Sequence, residues 1–427
     1  MRGYATHSGV RETPDSMPKQ PGAEKPSSHG INYQLLTALL CHTFVVQFVV
    51  ALLRLSTTYR ILELELPVIW LGVISGAFAL LPVFLALQVG RYIDRGNDAR
   101  AAWIGSILVG GPALAFYFAP GTPCHMLVYS MLIGVGHLFL MASHQMLCVR
   151  AGGEHGRDVA FGNFTVSQAL GQGLGPLVVG WVGGAARLPP TDTLFGIAAV
   201  ATVLSILVSI MVRPISRAAA PPKDQPAVPL MDLLRTRGLA ATLFAAIVTI
   251  TSTELLGIYL PLLGTERHID VAHIGGILTV RSVFSILSRV FYAQIVRLVG
   301  RQRLLMICMA VGGCGFLLLA LPVPIAGLYI AGAVLGLGLG VSSTLTITSL
   351  VELVPVQARA TAMTLRITGN RIGQVVIPFL ASFLAAATGA AGVLGIIAIN
   401  LWAAGVAVQR NRRNFSGIEK PPGAPKP

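Results

Sequence analysis

Charged residues inside long apolar stretches are the first candidates for chemistry in this sequence. Five arginines lie within such stretches, at Arg54, Arg281, Arg289, Arg366 and Arg371, and Glu254 is the single acid well inside one. If the stretches cross a bilayer, each such charge costs roughly 2.5–3.5 kcal/mol on insertion scales. These residues therefore mark places where the chain needs a partner, a water-filled cavity or a ligand.

Glu254 has one predicted partner. At a rise of about 1.5 Å per residue, Glu254 and Arg281 lie at similar depth, roughly 12 Å from the same membrane surface. A pair between them would offset both desolvation costs. We predict that ion pair, either as a structural bridge or as a coupling site. Arg54 and Arg289 lie near the ends of their stretches and are expected to anchor at the membrane interface.

Arg371 lies near the middle of a predicted helix, and no acid matches its depth. An anionic ligand is therefore a candidate partner for its guanidinium group. Gln374 and Asn370 could add hydrogen bonds, and we assign all three to substrate binding together with His137. His137 and His144 are seven residues apart on one helix face, which fits either a proton role or an ordinary buried, hydrogen-bonded histidine.

The elements that position these residues are membrane helices. The chain has 427 residues, of which 54% are hydrophobic and 11% charged, and its mean hydropathy is +0.73. Soluble domains carry about a quarter charged residues, so lipid must surround most of this chain. The net charge of +14 does not indicate a nucleic-acid partner, because the basic residues lie in short clusters between apolar stretches.

The apolar stretches predict the fold. Each crossing of a bilayer needs roughly 20 apolar residues, and the sequence contains twelve such stretches. We predict an all-α membrane protein with twelve transmembrane helices in two pseudo-symmetric six-helix bundles. Its predicted parts are a disordered cytoplasmic tail (1–32), a first bundle (33–212), a cytoplasmic linker (213–238), a second bundle (239–410) and a second cytoplasmic tail (411–427).

The basic residues predict the orientation. About 23 of the 31 Lys and Arg residues lie in the tails, in the linker and in the loops of one side. The other side holds only Arg60, Arg187 and Arg267. Because loops rich in Lys and Arg stay in the cytoplasm, both termini are predicted to be cytoplasmic. The expected location is the cytoplasmic, or inner, membrane.

The two halves of the chain resemble each other. At an offset of about 202 residues, Gly171, Gln172 and Pro176 match Gly373, Gln374 and Pro378, and Arg157 matches Arg359. At an offset of 203, the loop at 90–100 aligns with the loop at 293–303. Internal repeats of this kind predict a transporter with a binding site between the halves.

The loop after the second helix carries a family motif. It resembles the signature G-x-x-x-D-R-x-G-R-R of the major facilitator superfamily at Gly90, Asp94 and Arg95. Asn97 stands at the second glycine and is expected to adopt the left-handed turn. The resemblance implies that these residues form a cytoplasmic gate. When the gate closes, Asp94 is expected to accept hydrogen bonds from Arg366 and from the start of helix eleven.

Helix five carries a second motif. Gly162, Gly171, Gly175 and Pro176 follow the spacing G-x8-G-x3-G-P, which is similar to the exporter branch of that superfamily, and the wider resemblance covers residues 33–410. Glycines let helices approach closely and proline kinks them, so ordinary packing is the alternative explanation. The resemblance implies that Gly171, Gly175 and Pro176 act in gating.

The resemblance implies a secondary transporter, not an enzyme, without a cofactor or bound metal. The preferred of two candidate functions, because of the helix-five motif, is export of a small amphiphile, such as a drug, siderophore or metabolite, in exchange for protons. The other is uptake or facilitated diffusion of a small organic anion, which the buried arginines favour. Ser130 stands where proton-coupled drug exporters carry an arginine, which argues against their usual proton pathway. We expect a functional monomer in lipid, with a small-molecule substrate, protons as candidate coupling ions and no nucleic acid.

Overall fold

The computed structural model describes residues 31–118, 122–152, 156–212, 236, 238–354 and 358–412. Nearly all of the predicted tails and of the predicted linker lie outside these residues. The described chain folds into α1 (Tyr33–Glu63), α2 (Ile69–Tyr92), a π-helical turn (Ile93–Asn97), α3 (Asp98–Phe118), α4 (Pro123–Gly152), α5 (Arg157–Gly183), α6 (Thr191–Met211), α7 (Leu239–Glu266), α8 (Val271–Val290), α9 (Tyr292–Val299), α10 (Arg301–Ala320), α11 (Ile325–Gly340), α12 (Ser342–Leu353) and α13 (Arg359–Arg412).

These helices account for the predicted twelve crossings. Nine segments of the described chain are long and apolar enough to span a membrane. Two of them, Ile69–Phe118 and Thr361–Arg410, have 50 residues each, which is about 75 Å of helix. Each is broken by a glycine with positive φ, Gly96 or Gly389, and forms two crossings. The 27-residue α5 completes the twelve, and α11 with α12 forms a single one.

The turn after α2 differs from the prediction. Gly96 has φ 86° and ψ 19°, whereas Asn97 is not among the residues with positive φ. The Asn97 side chain instead donates from Nδ2 to the carbonyl oxygen of Tyr92, at 3.2 Å. Gly96 makes the turn because, without a Cβ, it adopts a left-handed conformation at no steric cost.

The helices run between two faces of the molecule, named here by the chain ends. The terminal face contains the start of α1 and the end of α13. There the Asn32 amide donates to the carbonyl oxygen of Ala151, at 2.9 Å. The opposite face contains the ends of α1 and α7. There Arg267 donates to the exposed carbonyl oxygens that end α10, including Leu321 at 2.8 Å.

Glycines bring α5 close to α1 inside the first bundle. A Cβ on Gly171 would lie 2.4 Å from the carbonyl oxygen of Phe44, and one on Gly175 would lie 3.0 Å from the amide nitrogen of Leu52. Only glycine permits such an approach between helix backbones. Two of the glycines of the helix-five motif therefore serve packing within one bundle.

The two bundles meet closely toward the opposite face. A Cβ on Gly72 of α2 would lie 2.3 Å from the carbonyl oxygen of Pro378 on α13. One on Gly275 of α8 would lie 2.5 Å from the carbonyl oxygen of Pro176 and 2.7 Å from the Cα of Gly180 on α5. Backbone hydrogen bonds reinforce this contact, because the amides of residues 271 and 272 donate to the carbonyls of residues 186 and 184. The opposite face is closed.

The first turns of α1, at the terminal face, are more exposed than its last turns. In the first turns of α1, Tyr33, Thr37 and Cys41 form an exposed stripe with a spacing of four residues. Toward the opposite face of the same helix, Tyr59 and Ile61 are only 1% and 2% exposed. α1 is therefore packed more tightly near the opposite face than near the terminal face.

Candidate functional site

A cavity of about 210 Å³ lies between the bundles, near the middle of the helices. Seven helices form its wall, from both halves of the chain. Its main polar lining residues are Gln47, Arg54, Ser130, His137, Gln172, Glu254, Arg281, Arg371 and Gln374. Apolar side chains, among them Leu53, Phe78, Leu256 and Leu278, complete the wall.

The cavity unites five of the six residues predicted for substrate binding and coupling. Arg371, Gln374 and His137 from the predicted substrate group line it, as do both members of the predicted coupling pair. Asn370 is not among the lining residues, and its Oδ1 is buried without a hydrogen-bond partner in the described chain. The sequence thus identified several polar residues of the cavity but not their contacts.

Glu254 pairs with a different arginine from the one predicted. Its carboxylate forms an ion pair with Arg54 Nη2 of α1. Among the described residues, Arg281 makes no ion pair with Glu254, although it lines the same cavity. Arg281 Nε is buried and has no hydrogen-bond partner in that part of the chain. The predicted Glu254–Arg281 ion pair is therefore not formed in this conformation.

Arg54 is not an interfacial anchor because α1 does not end near it. The helix continues to Glu63 through a polar segment in which several side chains have partners. Thr57 and Thr58 donate to carbonyl oxygens one turn earlier, and Arg60 forms an ion pair with Asp192 of α6. With the helix extended in this way, Arg54 lies well inside the bundle. Its guanidinium group also lies 4.6 Å from the ring centroid of Phe78.

Gln374 connects Arg371 to the same carboxylate. Arg371 Nη1 donates to Gln374 Oε1, at 3.3 Å, and Gln374 Nε2 donates to Glu254 Oε1, at 3.2 Å. The prediction that Arg371 has no acid at its depth is therefore too strong. Only the side-chain amide of Gln374 lies between Arg371 and Glu254. This carboxylate is still a single negative charge among three cavity-lining guanidinium groups.

His137 lies on the first-bundle side of the cavity. Its ring centroid is 5.6 Å from that of Phe78, so Arg54 and His137 both contact one aromatic ring. His137 Nε2 is 3.5 Å from Gln47 Nε2, and Gln172 Nε2 donates to Gln47 Oε1, at 3.1 Å. A cationic region and a neutral hydrogen-bonding region are therefore adjacent in one cavity.

The predicted gate residues of the α2–α3 loop lie at the terminal face. Asp94 and Arg95 are exposed, and a Cβ on Gly90 would meet no atom within 4 Å. In the described chain Asp94 makes no ion pair. Arg366 is 8% exposed, and its Nη2 donates to Ser343 Oγ, at 3.5 Å. The structure does not join Asp94 to Arg366 in this conformation.

Sequence reasoning missed a buried ion pair beside that loop. Asp98, which is fully buried, pairs with Arg150 Nε of α4, at 2.9 Å. The internal repeat could have revealed this pair. The residue 203 positions after Asp98 is Arg301, the residue 202 positions after Arg150 is Glu352, and these two also form an ion pair. The two charges are exchanged in the second half, where the arginine starts the helix and the acid lies at the end of the other one. Both pairs tie the start of one helix to the end of another at the terminal face.

A histidine pair was also missed. His42 Nδ1 and His144 Nε2 are 3.0 Å apart, and both residues are fully buried between α1 and α4. Ser106 and Thr43 hydrogen-bond their remaining ring nitrogens. The structural alternative for His144, a buried and hydrogen-bonded side chain, is therefore confirmed.

Two six-helix bundles that pack closely at one face and enclose a charged central cavity define a membrane transporter rather than an enzyme. A family model described as Major Facilitator Superfamily matches residues 35–252 and 242–424. The chain belongs to this superfamily. The two matches fall largely on the two bundles, in agreement with the internal repeat. None of the curated protein sequences compared with the chain matches it significantly.

Solved transporter structures share the fold. A mutant of the nucleoside transporter NupG is 14% identical with a TM-score of 0.75, and the match covers 88% of this chain and 99% of that one. A mutant of the peptide transporter POT is 16% identical with a TM-score of 0.72, over 90% and 95% of the chains. A bacterial homologue of the human lysosomal transporter Spinster, in an inward-facing and occupied conformation, is 13% identical with a TM-score of 0.71, over 93% and 100%. At this identity the likeness concerns the fold alone.

Proposed function

We propose that the protein carries a small organic anion with an apolar part across the membrane by alternating access. The observation that carries the proposal is the charge of the cavity, where Arg54, Arg281 and Arg371 face one carboxylate, Glu254. Charges at this depth need neutralisation, and an anionic ligand would supply it. The apolar wall would hold the remainder of the molecule, as in most small-molecule sites.

The packing of the bundles supports alternating access. In the reverse state, the contacts of Gly72 with Pro378 and of Gly275 with Gly180 would separate, and the terminal face would close. The terminal ends of α2 and α13 would then approach, because these two helices already pack together toward the opposite face. We propose that the exposed Asp94 and the buried Arg366 pair in that state. Gly90 and Arg95 would support the closed loop.

We propose Glu254 as the coupling acid, with Arg54 in the role that the sequence suggested for Arg281. A substrate anion that pairs with Arg54 would free the Glu254 carboxylate, and the freed carboxylate can bind a proton. Export of an amphiphile in exchange for protons is therefore the second candidate function. It is favoured because Glu254 is the one acid among the described residues that line the cavity.

We further propose that the terminal face is cytoplasmic and that the membrane is the inner membrane. Arg91, Arg95 and Arg100 lie at the end of α2 and the start of α3, and Arg297, Arg301 and Arg303 lie at the equivalent position of the second half. Such loops remain on the cytoplasmic side. In this orientation the conformation is inward-facing. Activity of a periplasmic reporter fused to the C-terminus would refute the orientation.

Proteoliposome transport tests the proposed substrate class. Purified protein would be assayed for uptake of labelled hexanoate, with hexanamide as an uncharged probe of similar shape, with and without a pH gradient. We expect saturable hexanoate transport above that of protein-free liposomes, and little hexanamide transport above the same background. Arg371→Gln should weaken hexanoate transport at least tenfold, whereas Arg303→Gln, which removes an exposed arginine outside the cavity, should match the parent.

Two outcomes would refute anion transport. One is equal transport of hexanoate and hexanamide by the parent protein. The other is unchanged hexanoate transport in Arg371→Gln. Transport that does not respond to the pH gradient would separately reject proton exchange and leave facilitated diffusion of the anion.

A further inference from the structure

We infer that Arg281 is a second anion-binding residue of the cavity, and that the transported substrate is a short dicarboxylate with an acidic group at each end. The inference rests on the proposed anion transport and deepens it by naming the substrate class. It also gives a role to Arg281, which lines the cavity but lies outside the ion pair between Glu254 and Arg54.

The formal charges that line the cavity do not balance. Arg54, Arg281 and Arg371 contribute three positive charges. Glu254 contributes the one negative charge among the described lining residues, so a surplus of two positive charges remains. An uncompensated charge within the membrane is costly, and the cost grows when the bundles close around the site and exclude water. A monoanion would leave one such charge in the closed site, whereas a dianion would leave none.

The terminal nitrogens of Arg281 are available to a ligand. In the described chain the Arg281 side chain has no hydrogen-bond or ion-pair partner, yet only its Nε is both buried and unpartnered. Nη1 and Nη2 must therefore be accessible. Arg281 is a partly exposed residue that lines the cavity, and each terminal nitrogen carries two N–H donors. This guanidinium group can therefore bind a carboxylate without first giving up a protein partner.

Close contacts with two other helices fix the rotation of α8 and hence the position of Arg281. A Cβ on Gly173 of α5 would lie 2.9 Å from the Cβ of Ser282, so Ser282 faces the first bundle. A Cβ on Gly336 of α11 would lie 2.7 Å from the Cβ of Phe284. Because α8 packs this closely against both α5 and α11, it cannot rotate without steric overlap. Arg281 is thus held in the cavity wall by the backbone packing of its helix.

Arg281 and Arg371 belong to separate parts of the site. Arg371 is connected through Gln374 to Glu254, by hydrogen bonds of 3.3 and 3.2 Å. Among the described residues, Arg281 takes no part in this network. Its helix α8 packs on α5 and α11, whereas α13, which carries Arg371, packs on α7 and α2. Two cationic groups in separate surroundings suit two separate carboxylates better than one doubly charged group.

The size and lining of the cavity limit the segment between the two carboxylates. The cavity volume is about 210 Å³, whereas pockets for drug-sized ligands measure roughly 300–1,000 Å³. Leu278 lines the cavity and precedes Arg281 by three residues, so the two side chains share one face of α8. Leu256 of α7 is a further apolar lining residue. A short hydrocarbon chain therefore suits the space beside the arginines.

The test compares acids that differ in the second charge. Full-length protein in lipid nanodiscs would be titrated with adipate, its monomethyl ester and hexanoate at about pH 7.5, where free carboxyl groups are ionised. Affinity would be taken from ligand-induced thermal stabilisation. We expect adipate to bind roughly 10- to 100-fold more tightly than the monomethyl ester, because a hydrogen bond to a charged group contributes about that factor.

The variants assign the second carboxylate to Arg281. In Arg281→Gln the preference for adipate over its ester should disappear, while hexanoate affinity should fall far less than in Arg371→Gln. In Arg281→Lys, which keeps the charge, part of the preference should remain. Arg303→Gln is the matched control, because Arg303 is exposed and lies outside the cavity lining, and the full preference should persist there.

Two results would overturn the inference. One is equal affinity of the parent for adipate and its monomethyl ester, a comparison that does not depend on whether any variant folds. The other is a parent-like preference for adipate in Arg281→Gln. In either case hexanoate binding would leave the proposed anion transport standing. Absence of binding by all three acids would instead overturn the proposed function itself.

Discussion

Replacing Glu254 with Gln tests whether the substrate competes with this carboxylate for Arg54. The variant keeps the shape of the side chain and an oxygen that can accept from Gln374 Nε2, as Glu254 Oε1 does at 3.2 Å. It loses the ion pair with Arg54. If a substrate anion must displace Glu254 from Arg54, the variant should bind anions more tightly than the parent.

The exposure of the pair sets the expected magnitude. The Arg54 and Glu254 side chains are 29% and 15% exposed, so the pair lies between a surface pair and a buried one. Unit charges about 4 Å apart interact by about 4 kcal/mol at an effective dielectric constant near 20, whereas surface pairs contribute ~0.2–1 kcal/mol. We expect a gain of about 1–3 kcal/mol in anion binding, or roughly 5- to 150-fold in affinity.

The assay is a double-mutant cycle on hexanoate affinity in nanodiscs. It needs the parent, Glu254→Gln, Arg54→Gln and the double variant, each measured by thermal stabilisation at several ligand concentrations. Glu254→Gln should bind more tightly and Arg54→Gln more weakly. The two effects should not add, because the residues are in contact.

Two results would refute this reasoning. Unchanged or weaker hexanoate affinity in Glu254→Gln would show that the carboxylate does not compete with the substrate. Additive effects in the double variant would show that the two side chains act independently. If affinity rises but transport keeps its pH dependence, Glu254 competes with substrate without coupling transport to protons.

Three further predictions concern the gate and the anion site. Asp94→Asn should slow transport severalfold with normal expression, and parent-like transport would show that the loop is only a solvated turn. Gly275→Ala should disfavour closure of the opposite face, because the new Cβ would lie 2.5 Å from the Pro176 carbonyl oxygen. Site-resolved alkylation of the exposed Cys41 should then fall as the terminal face closes, and unchanged alkylation would contradict this prediction. Arg371→Lys should weaken hexanoate binding about tenfold while leaving thermal stability intact, since lysine keeps the charge but loses the planar two-pronged geometry. A hexanoate affinity equal to that of the parent would assign Arg371 a structural role.

The sequence was sufficient to predict the class of fold. The thickness of the bilayer fixes the length of each apolar stretch, so the twelve crossings could be counted, and the repeat at 202 residues divided them into two bundles. Several charged residues of the cavity could also be predicted. A charge within a crossing is costly, so Glu254, Arg281 and Arg371 had to lie where protein or water could receive them.

Local geometry was partly predictable. The family motif located the turn after α2, but Gly96 rather than Asn97 adopts the positive φ. The helix-five spacing identified glycines that permit close approach, yet it could not reveal that Gly171 and Gly175 approach α1 of their own bundle while Pro176 approaches α8 of the other. Spacing defines which residues share a helix face but not which helix that face meets.

The contacts of the cavity were decided by the tertiary structure. The position of a residue in the sequence fixes its depth along a helix. By that criterion alone, Arg281 was as good a candidate as any other residue for the ion-pair partner of Glu254. The rotation of each helix about its axis and the choice of its neighbours depend on the packing of all twelve crossings. Because α1 continues to Glu63, Arg54 lies deep enough to reach Glu254, and Arg281 keeps a buried Nε without a partner among the described residues.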